Sequence, residues 1–253
     1  MKILYYDCSA GISGDMNLGA LISLGVDKDY LKTELDKLPV KDEFRLVIQT
    51  AARQGIAGVK ADVIETGIHD HHHGRHLSDI EGIILGSSLS KAVKDNALKI
   101  FNRVAFAEAV VHGKPVSEVH FHEVGAIDSI VDIVGAAICF DALDVDVVIA
   151  SPVELGGGYV RCDHGLIPVP APATVEILKG VPITCGATPH ETTTPTGAAI
   201  LAANVEEFKS KISFTIKKTG YGIGEREHDI PNVLRVMLAE TDDTDHESEE
   251  GHG

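Results

Sequence analysis

The chain has 253 residues, 44% of them hydrophobic, enough for one large domain or two small ones around a proper core, which excludes a disordered protein. Its 38 acidic against 22 basic side chains leave a formal charge of −16, which argues against nucleic acid as a partner and favours cations. No apolar run is long enough to span a bilayer and the N-terminus opens directly on strand-like residues, so no membrane partner is expected and the expected compartment is the cytoplasm.

Lys2 to Tyr6 reads as a strand running into Asp7-Cys8-Ser9-Ala10-Gly11-Ile12-Ser13-Gly14-Asp15-Met16, after which Leu18, Leu21, Ile22 and Leu24 recur at helical spacing. Such a strand, glycine-rich loop and helix unit exposes backbone N–H groups that can cradle phosphate or carboxylate. Gly11, Ser13, Gly14 and Asp15 are the expected contacts, with Asp7 and Asp15 placed to hold a cation beside them. The loop lacks the lysine of a P-loop and the spacing of a dinucleotide fingerprint. A short helix is expected around Tyr30 to Leu38. Phe44 to Thr50 and Val59 to Thr66 then read as a hairpin whose turn contains Gly55 and Gly58.

Next comes an imidazole-rich segment, His69-Asp70-His71-His72-His73-Gly74-Arg75-His76. Neutral imidazole suits nickel, zinc and copper, and a cluster without thiolates holds such an ion with intermediate affinity, so His71, His73 and His76 are candidate metal ligands. Ser78 and Glu81 stand in capping-box spacing ahead of a helix from Ser78 to Leu85, followed by a second from Lys91 to Val111. Val119 to Asp132 then packs two imidazoles and three carboxylates into an apolar run. On a strand, His120 and His122 share one face and Glu123 points the other way. Beyond Gly125 the pattern turns helical, and Asp128 and Asp132, four apart, share a face. Buried imidazoles and carboxylates demand partners, so His120 and His122 are candidate metal ligands and Glu123 and Asp128 candidate bases.

The helix continues to Leu143, and a strand is expected from Val145 to Ala150. A loop follows from Gly156-Gly157-Gly158 through Arg161 and His164-Gly165 to Pro168-Val169-Pro170-Ala171-Pro172, then a helix from Thr174 to Leu178. Thr194 is a natural cap and Pro195 suits the first helical position, so Thr194, Thr196 and Gly197 form a second helix start inviting an anion. Strands from Ser213 to Thr219 and Val233 to Glu240 flank a glycine-rich turn, and residues 241–253 read as a disordered acidic tail after a main domain of residues 1–240. Cys8, Cys139, Cys162 and Cys185 form no paired-ligand spacing; Cys139 reads as a buried small hydrophobe, Cys8 and Cys162 as loop thiols. Strands and helices without regular alternation predict an α+β fold, a mixed sheet with ferredoxin-like elements and a helical insertion.

Taken together, Asp7 to Met16, Val119 to Gly125 with Asp128 and Asp132, His164-Gly165 with Pro168 to Pro172, and Thr194-Pro195-Thr196-Gly197-Ala198-Ala199 resemble the LarC family across nearly all of residues 1–240. The resemblance implies nickel insertion into pyridinium-3,5-bisthiocarboxylic acid mononucleotide, a chelatase reaction of the lyase class that makes the nickel-pincer nucleotide cofactor of lactate racemase. It implies Ni²⁺ held by His120 and His122, a ring proton taken by Glu123 or Asp128, and phosphate at one of the two helix starts with Arg161 or Arg226 as counter-charge. Full-length members carry a further C-terminal domain to which dependence on CTP and a divalent cation is attributed. This chain resembles the N-terminal part, so CTP is not expected on it, and a separate C-terminal part and apo lactate racemase are expected partners. Two other classes use the same residues: a non-enzymatic nickel chaperone and a metal-dependent hydrolase.

Overall fold

The computed structural model describes residues 1–67, 75–121, 125–162, 165–227 and 230–241, and for His120 and Cys162 the backbone alone. The chain begins with β1 (Lys2–Asp7), α1 (Gly14–Leu24) and α2 (Lys28–Leu35), then the hairpin of β2 (Phe44–Arg53) and β3 (Ile56–Glu65). A helical block follows, introduced by β4 (Arg75–His76): α3 (Leu77–Gly86), α4 (Lys91–His112), β5 (His120–Phe121) and α5 (Ile127–Leu143). Short elements come next: β6 (Val147–Ala150), β7 (Val153–Glu154), β8 (Tyr159–Cys162), β9 (Gly165–Pro168), α6 (Pro172–Ile177) and β10 (Ile183–Thr184). The last are α7 (Pro195–Asn204), β11 (Glu207–Phe208), β12 (Thr215–Ile223) and β13 (Val233–Glu240).

Seven strands form one mixed sheet in the order β11-β6-β1-β13-β12-β3-β2. The β11, β6 and β1 neighbours run parallel, β13 is antiparallel to both β1 and β12, and β2 is antiparallel to β3. This is the α+β class the sequence predicts. Side-chain alternation divides the central strands between two faces. Leu4 and Tyr6 of β1 join Leu234 and Val236 of β13 in the large core beneath the helices, while Ile3 meets Ile149 and Ala239 in a smaller cluster covered by Ile212 and Phe214. Helix α5 is buried nearly all round, with Ile130, Val131, Ile133, Val134, Ala137 and Ile138 shielded from solvent, as befits a helix enclosed by α1, α2, α4 and α7.

Helix α1 lies on the sheet almost backbone to backbone. A Cβ on Gly222 would stand 1.8 Å from the Met16 carbonyl oxygen and one on Gly220 2.3 Å from that of Ala20. Gly220 and Gly222, read from the sequence as part of a turn, therefore belong to β12, which runs on through Ile223. Gly58 is likewise inside β3, the turn of the first hairpin being Gln54-Gly55. The expected Gly156-to-Pro172 loop contains a β8–β9 hairpin, paired from Tyr159↔Pro168 to Cys162↔Gly165. Helix α3 starts one residue earlier than its supposed box: Asp79 accepts the His76 N–H at 2.8 Å, and Ser78 and Glu81 do not form that cap. The acidic tail beyond Thr241 lies outside the described residues.

Candidate functional site

Two helix starts are built side by side by one residue between them. The Ile12 N–H donates to Thr193 Oγ1 at 3.3 Å, and the Ile12 carbonyl accepts the Thr194 N–H at 3.1 Å, so the loop before α1 and the loop before α7 are stitched together. Gly11 and Gly197 serve this seam: a Cβ on the first would be 2.1 Å from the Thr192 carbonyl oxygen and on the second 2.2 Å from that of Ile12. Thr194 caps α7 by accepting the Gly197 N–H at 3.2 Å, with Pro195 at the first turn, as its sequence predicts. The approach to α7 is fixed from below by buried Glu154. Its carboxylate accepts the N–H groups of Gly156 and Ala187 at 3.1 and 3.0 Å, and its carbonyl accepts the hydroxyls of Thr192 and Thr193.

Both helix starts open onto a cleft of about 680 Å³. Ser13, Gly14 and Asp15 line it from α1, and Thr194 and Thr196 from α7. Of the residues the sequence nominated for phosphate, Gly11 and Gly197 are spent on the seam and do not line it. Arg161 from the β8–β9 hairpin and Arg226 from the β12–β13 connection supply positive charge, Arg226 lying 3.9 Å from Glu191. Asp128 and Asp132 reach the same cleft from α5, with Asp62 and Lys60 from β3 joined in an ion pair. Val160, Ile167 and Ala171 add an apolar portion.

The carboxylates are held in an unusual state. Desolvation first, then the negative charges of Asp15 and Asp128, push the Asp132 carboxyl well above the ordinary range. Its Oδ1 is shielded from water and has no hydrogen-bond partner among the described residues, and Oδ2 abuts Gly14. Burial also raises Asp15, against which a bond from Ser13 acts only partly. Asp128, more open to solvent at the first turn of α5, is pushed the same way by desolvation although the Ser129 N–H donates to it at 2.7 Å. Asp62, Lys60 and Glu225 were not singled out by sequence reasoning; the same-face spacing of Lys60 and Asp62 on β3 is the one signal that points there.

Asp7 is not part of this wall. Although burial opposes it, the Arg235 guanidinium holds the Asp7 carboxyl below its usual range, with Nε at 2.9 Å. Cys8 is a core residue rather than a loop thiol, its ionisation driven far up by burial, and Cys139 is pushed up to about 12 by the same cause.

The described ends of the two histidine segments meet in the fold. Strands β4 and β5 pair antiparallel with Arg75 opposite Phe121 and His76 opposite His120. Arg75 anchors the pairing, donating to the Gly125 carbonyl at 2.9 Å and to Glu43 at 2.6 Å. His76 Nδ1 lies 3.1 Å from the Val119 carbonyl oxygen. His71, His73, His122 and Glu123 lie outside the described residues, and the His120 side chain with them. Among the described residues, no three His, Cys, Asp or Glu side chains converge to hold a metal ion.

Residues 4–251 match the family model described as nickel insertion protein. The chain belongs to that family. It is 60% identical over 249 residues to the pyridinium-3,5-bisthiocarboxylic acid mononucleotide nickel insertion protein of Clostridium kluyveri, covering 95% of this chain and 62% of that one. The protein of the same name from Clostridium acetobutylicum is 55% identical over 273 residues, covering 95% and 64%, and that of Akkermansia muciniphila is 52% identical over 249, covering 96% and 61%. The chain therefore spans about three-fifths of the length of these curated relatives. No solved structure matches it. Among its described residues, no helix is long and apolar enough to cross a membrane.

Proposed function

We propose that this chain carries the acceptor-binding and nickel-insertion site for pyridinium-3,5-bisthiocarboxylic acid mononucleotide, making the nickel-pincer nucleotide used by lactate racemase. The observation that carries the reading is one cleft that gathers the two helix starts, that of α7 capped by Thr194, with Arg161 and Arg226 at one end and Asp15, Asp128 and Asp132 along a wall. The phosphate is received by the Thr196 N–H and the Thr194 and Thr196 hydroxyls at the start of α7, the N–H groups of Thr194 and Gly197 being already taken by Ile12 and the Thr194 hydroxyl, and the guanidinium groups reinforce it. Nickel is cargo here. Imidazole and carboxylate are harder donors than the two thiocarboxylate sulfurs of the acceptor, so His71, His73, His76, His120 and His122 can hold Ni²⁺ without outcompeting its destination.

The chain's residues then have three tasks. The paired His76 and His120 positions bring the metal-collecting segments to the residues that lead, through Gly125, into α5. Asp128 or Glu123 takes the ring proton as the metal–carbon bond forms. Asp15 with Ser13 and Thr194 with Thr196 keep the nucleotide oriented. CTP, with its divalent cation, acts through the additional length present in the relatives; the protein works in the cytoplasm and hands its product to apo lactate racemase.

The test is incubation of the purified chain with Ni²⁺ and the sulfur-bearing mononucleotide, with and without CTP, reading nickel-bearing product by mass and by activation of apo lactate racemase. Product from the chain alone, or product restored by the separately expressed C-terminal part, supports the reading. Absence of product in both arms refutes it and favours a metal carrier.

A further inference from the structure

We infer that the carboxylate wall of the cleft is a selectivity device for a cationic ring, with Asp132 as its principal partner; this rests on the mononucleotide reading of the cleft. Asp132 stands in the second turn of α5, on the same face as Asp128, and is pressed against Gly14 so that a Cβ there would meet Oδ2 at 2.2 Å. Its Oδ1 is shielded from water and has no hydrogen-bond partner among the described residues. A buried carboxyl left in that condition is costly unless a ligand completes it.

Three observations say what kind of ligand. The groups facing Asp132 are acidic on its own helix and on α1, where Asp128 and Asp15 stand. From β3 the Lys60 charge is already taken up by Asp62, and the remaining cations of the cleft, Arg161 and Arg226, come from the hairpin and the β12–β13 connection. Among the described residues the wall therefore lacks a counter-charge of its own. Second, among the described residues the carboxylates do not converge on one point as a metal ion requires. They suit a charge spread over several atoms. Third, Met16, Val63, Val160 and Ile167 line the same cleft and offer apolar contact to a flat face. A pyridinium ring, cationic, planar and with its charge delocalised to its edge, satisfies all three conditions. A neutral ring of the same shape satisfies only the last.

The selection works without new covalent chemistry. With the cleft empty, burial and two like charges raise the Asp132 carboxyl and favour its protonated form. A cationic ring alongside supplies the missing positive charge and favours release of that proton to solvent, and the carboxylate attracts the ring in a low-dielectric setting. Phosphate at the α7 end fixes the register, so the ring falls against the wall.

The experiment compares two probes in the presence of a chelator that removes nickel: 3-carboxypyridinium ribotide and its C-nucleotide isostere in which a benzoate ring replaces the pyridinium. Calorimetric titration of the chain is expected to show the cationic probe binding about tenfold or more tightly, as a single partly desolvated charge pair gives. Asp132→Asn should collapse that ratio towards unity while leaving the isostere's affinity in place, and Asp128→Asn should reduce it in part; thermal melts of both variants establish that they fold. Equal affinity of the two probes for the wild-type chain, or a ratio unchanged in Asp132→Asn, overturns the inference and leaves the mononucleotide reading standing. Failure of both probes to bind overturns the mononucleotide reading, and this inference with it.

Discussion

Gly14 and Asp132 touch across the junction of two helices: the first residue of α1 leaves room for the carboxyl of the second turn of α5, and a Cβ on the glycine would stand 2.2 Å from Oδ2. That contact sets where the carboxylate wall stands relative to the α1 start. Gly14→Ala is expected to displace Asp132 and cost about 1–3 kcal/mol of stability, the usual cost of forcing a methyl into a packed site. Urea denaturation measures the cost. The same variant should lose mononucleotide affinity in titration, because the displaced side chain occupies the cleft.

The pH dependence of stability has a definite sign. Asp132, Asp15 and Asp128 have carboxyl groups raised in the folded chain, so the fold holds protons that the unfolded chain releases. Their contribution is fully present below the ordinary aspartate range and is lost as pH rises through the folded values. Asp7, lowered by Arg235, acts in the opposite direction and at more acid pH, its contribution being lost as pH falls. Asp132→Asn should therefore flatten the decline of stability on the alkaline side of the carboxylate range and leave the acid limb unchanged. Denaturation midpoints across pH follow both limbs; a decline as steep in the variant as in the wild type contradicts the assignment.

Thr194→Ala removes the hydroxyl that accepts the Gly197 N–H at 3.2 Å. A lost N-cap costs about 1 kcal/mol. Because α7 starts beside α1 through the Ile12 bridges, the loss should also weaken phosphate-containing ligands more than it weakens their dephosphorylated counterparts. Parallel titrations with a mononucleotide and its nucleoside separate the two effects.

How much of this was legible beforehand depended on whether a signal was local. The Thr194-Pro195 cap follows from side-chain and ring geometry within one turn, and the shared face of Asp128 and Asp132 from the helical repeat. The glycines of β12 misled because their reason is tertiary: they admit α1, and nothing in their own segment shows it. The same holds for Gly11 and Gly197, whose resemblance to an anion-binding loop hides a packing role. The α3 cap went to Asp79 and the His76 N–H, since pairing with His120 fixes where β4 ends. Cys8 read as a loop thiol from its glycine-containing neighbourhood, yet it is folded into the core. Lys60 and Asp62 carried only a strand alternation, too weak a sign to mark a cleft.

Arg161 and Arg226 approach the cleft from two separate connections, and each should contribute to phosphate affinity. Arg161→Ala and Arg226→Ala are expected to weaken mononucleotide binding by about tenfold each, Arg161 more reproducibly because Arg226 is also near Glu191. Raising the ionic strength should narrow the difference between wild type and variants, as partly exposed charges are screened.

The most direct test of the account is stoichiometric nickel transfer within the cleft. The chain is loaded with one equivalent of the sulfur-bearing mononucleotide, one equivalent of Ni²⁺ is added together with CTP and the C-terminal part, and the acceptor's mass is followed in the wild type, in Asp128→Asn with His120→Ala, and in Arg161→Ala with Arg226→Ala. The account predicts one nickel per acceptor in the wild type, bound acceptor without nickel in the first double variant, and little acceptor bound in the second. Nickel insertion at the wild-type rate in both double variants would place the reaction elsewhere and contradict it.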